Sequence, residues 1–415
     1  MTFAAKLLMV ITTAGAVPWG RFATVFFLHS GVSASRLGLL RVVGLVGKTL
    51  AYPAWGVFAD MIRDVRLALL ASIVLSSASL VLFRSSYVLS TFGALFLVKL
   101  LRSLLNAVWP LTEAMALKLI AGGKEGYGKQ RLWCAISWGL ASFVVGNCID
   151  RFGVTAIFEL TWGISLATVI LVMLFIPKPS ADVALNHGKK KVSGLSVKDL
   201  IQYSKDFISS GENSQFYITM FVYGFVFSLS EVVLMIAMEK DFRASKTLQG
   251  LAITASTVIE VPVFYYSDSL LKSYSVSKMF LVAHSTMAFR LLAYSMVPLS
   301  APWMIVVIQL CHGLCFSLMW VAAVSFASQR APKGMEATAQ TMLSNVWVLG
   351  NGLGAAFWTN VYERAGSFRF VFLVGVLVLA TLISWSHWKG PIGTISKSKR
   401  EPDTKRKNIE LVSSV

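Results

Sequence analysis

Residues 154–176 read VTAIFELTWGISLATVILVMLFI, and residues 177–214 read PKPSADVALNHGKKKVSGLSVKDLIQYSKDFISSGENS. The first stretch carries a single ionisable side chain, Glu159, and is long enough as an α-helix to cross the roughly 30 Å apolar core of a bilayer. The second is polar and rich in Ser and Gly, with the basic run Lys189-Lys190-Lys191. An apolar span that ends in a basic connection marks a chain threading a membrane.

The pattern extends in both directions. Apolar windows bounded by turn and charge signals give about twelve spans, near 3–29, 36–59, 66–84, 90–117, 130–149, 154–176, 215–239, 246–271, 277–297, 301–328, 336–361 and 367–388. The expected fold is therefore an all-α membrane protein. Residues 1–176 form an N-terminal six-helix bundle and 177–214 a linker. Residues 215–388 form a C-terminal six-helix bundle, and 389–415 a basic tail. Composition agrees, since 56% of the 415 residues are hydrophobic and only 14% are charged. A soluble chain would carry about a quarter charged residues. The first apolar run is too long for a cleaved signal and reads as the first span.

The net charge of +18 does not point to nucleic acid, because the basic residues stand in short runs between spans and in the tail from Lys397 to Lys407. With a cytoplasmic N-terminus, inner segments hold roughly 24 Lys and Arg against about 8 outside. Both termini and the linker are thus expected in the cytoplasm, with contact to membrane lipid. Cys134, Cys148, Cys311 and Cys315 all fall in apolar segments. No disulfide framework or zinc spacing results, and no metal or other cofactor is expected.

The halves read as copies. Pro53 and Pro262 stand in matching second helices, and Gln130 and Gln340 open matching fifth helices. Asp150-Arg151-Phe152-Gly153 and Glu363-Arg364-Ala365-Gly366 end those helices. A common offset indicates a duplicated six-helix unit, the trace of a transporter whose halves rock about a central site.

Tyr52-Pro53-Ala54-Trp55-Gly56-Val57-Phe58-Ala59-Asp60, followed by Arg63 and Arg66, resembles the loop between helices 2 and 3 of the major facilitator superfamily, although Ile62 replaces a basic residue of the pattern. The resemblance implies a conformational latch at Gly56, Asp60, Arg63 and Arg66, with Asp60 pairing with Arg63 or Arg66. Four further segments resemble the lactose permease and nucleoside or phenylpropionate permease branch. They are Pro110-Leu111-Thr112-Glu113-Ala114; Tyr127-Gly128-Lys129-Gln130-Arg131-Leu132-Trp133 with Trp138-Gly139; Glu260-Val261-Pro262; and His312-Gly313-Leu314-Cys315-Phe316 leading to Glu336-Ala337-Thr338-Ala339-Gln340.

Ionisable groups inside a membrane cost a few kcal/mol and persist mainly when paired or functional. Arg21, Lys48, Lys99, Arg102, Glu113, Glu159, Glu231, Glu260, Arg290 and His312 are such groups, and Lys99 and Arg102 also have a plain structural reading. By resemblance, Glu113 and Arg131, 18 residues apart, and Trp138 would bind substrate. The guanidinium would grip hydroxyls or a carboxylate, and the indole would stack on a ring. Glu260, Arg290, His312 and Glu231 are candidates for proton coupling. The acidic residue that the family places one turn after its histidine is Cys315 or Phe316 here, so Glu260 or Glu231 must stand in.

The expected function is a secondary transporter for a small polar organic solute, sugar or nucleoside like, driven by protons and acting as a monomer. An organic-anion transporter, or a receptor or scaffold of the same shape, is the competing reading. No Walker A, His-Glu-x-x-His or Gly-x-Ser-x-Gly sequence is present, so the chain is not expected to be an enzyme.

Overall fold

A computed structural model describes residues 2–119, 124–176, 211–330 and 336–388, and among them every regular element is a helix. The first six paths are α1 (Thr2–His29), α2 (Ala34–Met61), α3 (Val65–Ala78, prolonged by a 3-10 turn Ser79–Arg84), α4 (Phe92–Leu105, then Val108–Leu119), α5 (Lys124–Phe152) and α6 (Ala156–Phe175). The rest are α7 (Gly211–Ser228, a π turn Leu229–Val233, then Leu234–Lys240), α8 (Lys246–Tyr265, continued by Ser267–Ser273), α9 (Val276–Met296), α10 (Met304–Gln309, then Cys311–Gly313, a π turn Leu314–Leu318 and Met319–Arg330), α11 (Glu336–Ala365) and α12 (Phe368–Ile383, ending in a π turn Ser384–Trp388).

Local chemistry sets these boundaries. Asp64, Ser245, Ser275 and Ser367 precede α3, α8, α9 and α12, and each side chain accepts from a backbone N–H of the first turn. Gly153 and Gly366, at φ 86° and 62°, end α5 and α11, where a side chain would be strained.

Two boundaries depart from expectation. The α7 path begins at Gly211, inside the segment read as linker. The fourth span is broken in two: Pro110 has no N–H to donate to the Asn106 carbonyl, and Asn106 is extended at φ −100°, ψ 95°. The freed backbone groups are satisfied by Ser72 of α3, whose hydroxyl donates to the Leu105 carbonyl at 3.0 Å and accepts from the Ala107 N–H at 2.9 Å.

Among the described residues, ten helical segments are long and apolar enough to cross a membrane. The other two expected spans are helical as well, over Val276–Met296 and Glu336–Ala365. Polar residues dilute their hydropathy; in α9 the buried His284 and Arg290 turn part of this polarity toward protein rather than lipid.

The first six paths meet the last six chiefly through α5 on α8 and α2 on α11. Small residues allow this. A Cβ at Gly146 would strike the Lys246 carbonyl, one at Gly250 the Ser142 carbonyl, and one at Gly38 the Thr359 hydroxyl and Ala356 Cα. Thr254 donates to the Gly139 carbonyl at 2.7 Å across the same α5–α8 seam.

Candidate functional site

On the side of the molecule away from the first residue of α1, helix ends of the two halves are tied together. Asp150, at the end of α5, accepts from the Lys246 and Thr247 N–H groups at 2.8 and 2.7 Å and from the Thr247 hydroxyl at 2.6 Å. It therefore caps α8 from the other half of the chain, where the positive helix end favours an anion. Glu363, at the end of α11, does the same for α2, accepting from the Ser35 N–H at 2.6 Å. These are the two carboxylates that the internal repeat aligns. Glu239 of α7 completes the closure through His29 of α1 at 2.9 Å, Lys246 at 2.6 Å and Gln249 at 2.8 Å. Nearby, Asp241 accepts from the Tyr362 hydroxyl at 2.7 Å. Partial burial raises its carboxyl pKa above the ordinary aspartate value, against the opposing pull of that hydroxyl.

Beneath this closure lies a cavity of about 1080 Å³. Its lining starts near Phe27 and Leu37 and continues past Tyr52, Leu132, Leu271 and Ser325 toward the opposite ends of the helices. Both halves contribute. Arg21, Arg41, Lys48, Lys99 and Arg102 come from the first six paths, and Glu231, Glu260 and His312 from the last six. Trp19, Trp109, Trp138, Trp320 and Phe316 supply ring faces, and Thr12, Thr13, Asn106, Ser256 and Thr257 supply hydroxyl and amide groups. A concave, partly apolar volume with convergent polar groups is the form a small-solute site takes.

A chain of contacts crosses the cavity between the halves. Arg21 Nη1 stands 3.6 Å from Glu231 Oε1, and the Arg21 guanidinium lies 5.0 Å from the centre of the Trp138 ring. Asn351 of α11 donates to the second Glu231 oxygen at 3.1 Å. Glu231 sits inside the π turn of α7, and His312 stands two residues before that of α10. Such turns re-aim side chains at functional positions. The His312 ring packs between those of Phe227 and Phe316, and its Nδ1 meets no hydrogen-bond partner among the described residues.

The structure regroups the residues expected from sequence. Trp138, Glu231, Glu260 and His312 all line the cavity. Glu113 is half-buried and is not among the lining residues, although it lies within electrostatic reach of Tyr52, which is. The side chains of Arg131 and Asp60 lie outside the described residues. Trp138 meets Arg21, not a partner named from sequence. Arg290 is also placed differently. It is fully buried away from the lining and donates to Tyr294 Oη at 2.8 Å and Gln309 Oε1 at 2.6 Å, so it joins α9 to α10. Arg66, one of the two arginines expected beside Asp60, donates to the Val172 and Met173 carbonyls at 3.3 and 2.9 Å, satisfying the end of α6. Gly56 and Arg63 lie at the opposite end of the helices from the closure, with Arg63 at φ 54°.

Arg21 and Arg41 are the cavity residues that sequence reasoning underused. Arg21 entered only as one intramembrane charge among many, and Arg41 did not enter. Its legible signal was a seven-residue spacing to Lys48 on one helix face.

The model of the MFS_1 like family matches residues 11–374, from α1 into α12. The chain belongs to that family. This MFS_1-like protein is similar to the maltose permease of Geobacillus stearothermophilus, 27% identical over 363 residues that cover 85% of this chain and 86% of the relative. It is also similar to YwbF, an uncharacterised transporter of Bacillus subtilis (strain 168), 21% identical over 84% of this chain and 83% of that one. Among solved structures it resembles the nucleoside transporter NupG, with a TM-score of 0.75 at 16% identity over 96% of this chain and 99% of that chain. The MFS_1-like chain is thus an integral multi-pass membrane transporter of the major facilitator type and not an enzyme.

Proposed function

We propose that this transporter moves a small polar organic solute, sugar or nucleoside like, by alternating access in symport with protons. The observation that carries the reading is the cavity between the halves, closed at one set of helix ends by interhalf contacts and lined by rings, hydroxyls and opposed charges. Residues 1–176 and 215–388 act as the two rocking bundles, joined by 177–214. With both termini in the cytoplasm, the closed end is the outer one and the cavity faces inward. Trp138 offers a ring face for stacking, and Glu113 with Arg131 remains the second candidate pair. Glu260 or Glu231 accepts the coupling proton, with His312 also in the cavity lining. Gly56, Asp60, Arg63 and Arg66 belong to the end that closes in the outward-facing state. Similarity to a maltose permease supports the sugar reading.

The test is uptake of labelled maltose, uridine and benzoate by proteoliposomes, with and without an inward proton gradient. Maltose or uridine flux that rises with the gradient is the expected result. Absence of flux for all three overturns the substrate reading, and flux indifferent to the gradient removes proton coupling alone. The organic-anion reading has its own support: five cations face two carboxylates in the described lining. Benzoate flux in preference to maltose and uridine decides for it.

A further inference from the structure

We infer that Arg41, Lys48 and Lys99 form an anion-binding subsite in the cavity wall, built for a solute group carrying two negative charges, such as a phosphate monoester or a dicarboxylate. The inference rests on the cavity being the transport site and narrows its substrate class.

Arg41, Gly44 and Lys48 stand at i, i+3 and i+7 on α2, one stripe of the helix. Lys99 reaches that stripe from α4. A Cβ at Gly44 would lie 3.3 Å from Lys99 Cε and 3.8 Å from its Nζ. The missing side chain at Gly44 thus leaves the recess that lets the Lys99 ammonium lie between Arg41 and Lys48. Close packing of Gly47 against Ser103 and Leu100 fixes α2 on α4 at this level. All three cations line the cavity, and Lys99 lies within electrostatic reach of both others.

None of the three has a carboxylate within ion-pair distance among the described residues; Arg41 alone feels one at longer range, Glu231, which is already engaged by Arg21 and Asn351. The other two lining cations are engaged. Arg21 is held by Glu231 and Trp138, and Arg102 is held by the Ser76 carbonyl and the Trp19 ring. Gathering three like charges inside a membrane protein is unfavourable unless something compensates them. An anion on the solute supplies that compensation and is gripped from two helices at once. A phosphate monoester carries about −1.5 to −2 charges near neutrality, and the Arg41 fork suits its oxygens. The rings of Trp109 and Trp138 and the hydroxyls across the cavity remain for the rest of the solute.

The test measures binding separately from transport. The purified full chain in neutral detergent, with about 150 mM KCl to screen diffuse attraction, is titrated calorimetrically with glucose 6-phosphate, succinate and glucose. The expected result is tighter binding of at least one dianion than of glucose. Arg41→Gln, Lys48→Gln and Lys99→Gln should each weaken it by about tenfold or more, while Lys99→Arg retains most of the affinity and the exposed Lys278→Gln retains all of it. Binding of glucose 6-phosphate alone, or of succinate alone, identifies which dianion chemistry is taken, and either supports the subsite. No preference for a dianion overturns the inference, as does a preference that the glutamine variants keep. Maltose or uridine flux in proteoliposomes without dianion binding overturns the subsite and leaves the transport reading standing. Dianion binding without flux of any solute does the reverse.

Discussion

The double variant Asp150→Asn, Glu363→Gln opens the closed end of the molecule and moves the conformational balance by about thirtyfold. Each carboxylate caps a helix N-terminus of the opposite half, Asp150 on α8 and Glu363 on α2. A charged cap in partly exposed surroundings contributes about 1 kcal/mol after allowance for solvent screening. The two sites share no partner, so their effects add to about 2 kcal/mol, or roughly thirtyfold in an equilibrium constant. The bonds exist only while these helix ends are together, so the loss falls on one conformer and shifts the population. Spin labels at the exposed positions Phe152 and Leu299, at this end of the two halves, should report a population with longer separations. An unchanged distance distribution would sink the claim that the carboxylates hold this end shut.

A second expected result compares one substitution at two kinds of seam. Gly250→Val places a side chain against the Ser142 carbonyl and Phe143 Cα, at the α5–α8 contact between halves. Gly354→Val places one against the Phe225 carbonyl and the Ser228 hydroxyl, at the α7–α11 contact within one half. Overpacking costs about 1–3 kcal/mol, and more where backbone is the obstacle. The halves can relieve the first clash by separating at this end. Gly250→Val should therefore leave a folded, monodisperse protein whose uptake falls by about tenfold or more, because one of the two alternating states has lost its seam. The helices of one bundle have no such freedom. Gly354→Val should lower the melting temperature and the yield instead. Equal melting temperatures for the two variants would contradict this division of the seams.

The repeat offsets in the sequence had already paired Asp150 with Glu363. Their shared task was not legible, because the partners are the backbone amides of Ser35, Lys246 and Thr247, which carry no sequence signature. Pro110 told of an interruption in the fourth span but not that Ser72 would satisfy the break. The intramembrane charges could be named but not sorted. Arg290 and Glu260 look alike as buried ionisable residues in a string of letters. In space, Arg290 joins α9 to α10 and Glu260 faces the cavity. Resemblance drew attention to Glu113 and Arg131, whereas Arg21 and Glu231 make the observed contact across the halves.

Residues 154–176 and the basic connection after them determined, by themselves, that the chain lives in a membrane. Burying a 23-residue apolar run in lipid outweighs any local preference, and the charges beside it must stay in water. The alternation of such runs similarly set helix number and approximate ends. Which end of the bundle is shut, which cations converge on Gly44 and which carboxylate meets which helix were decided only by tertiary packing. Those outcomes depend on distances of a few ångströms between residues far apart in sequence, as with Asp150 and Lys246, 96 positions apart, in their interhalf contact. Hydropathy and spacing constrain each helix along its own axis and leave open which of its faces meets which neighbour.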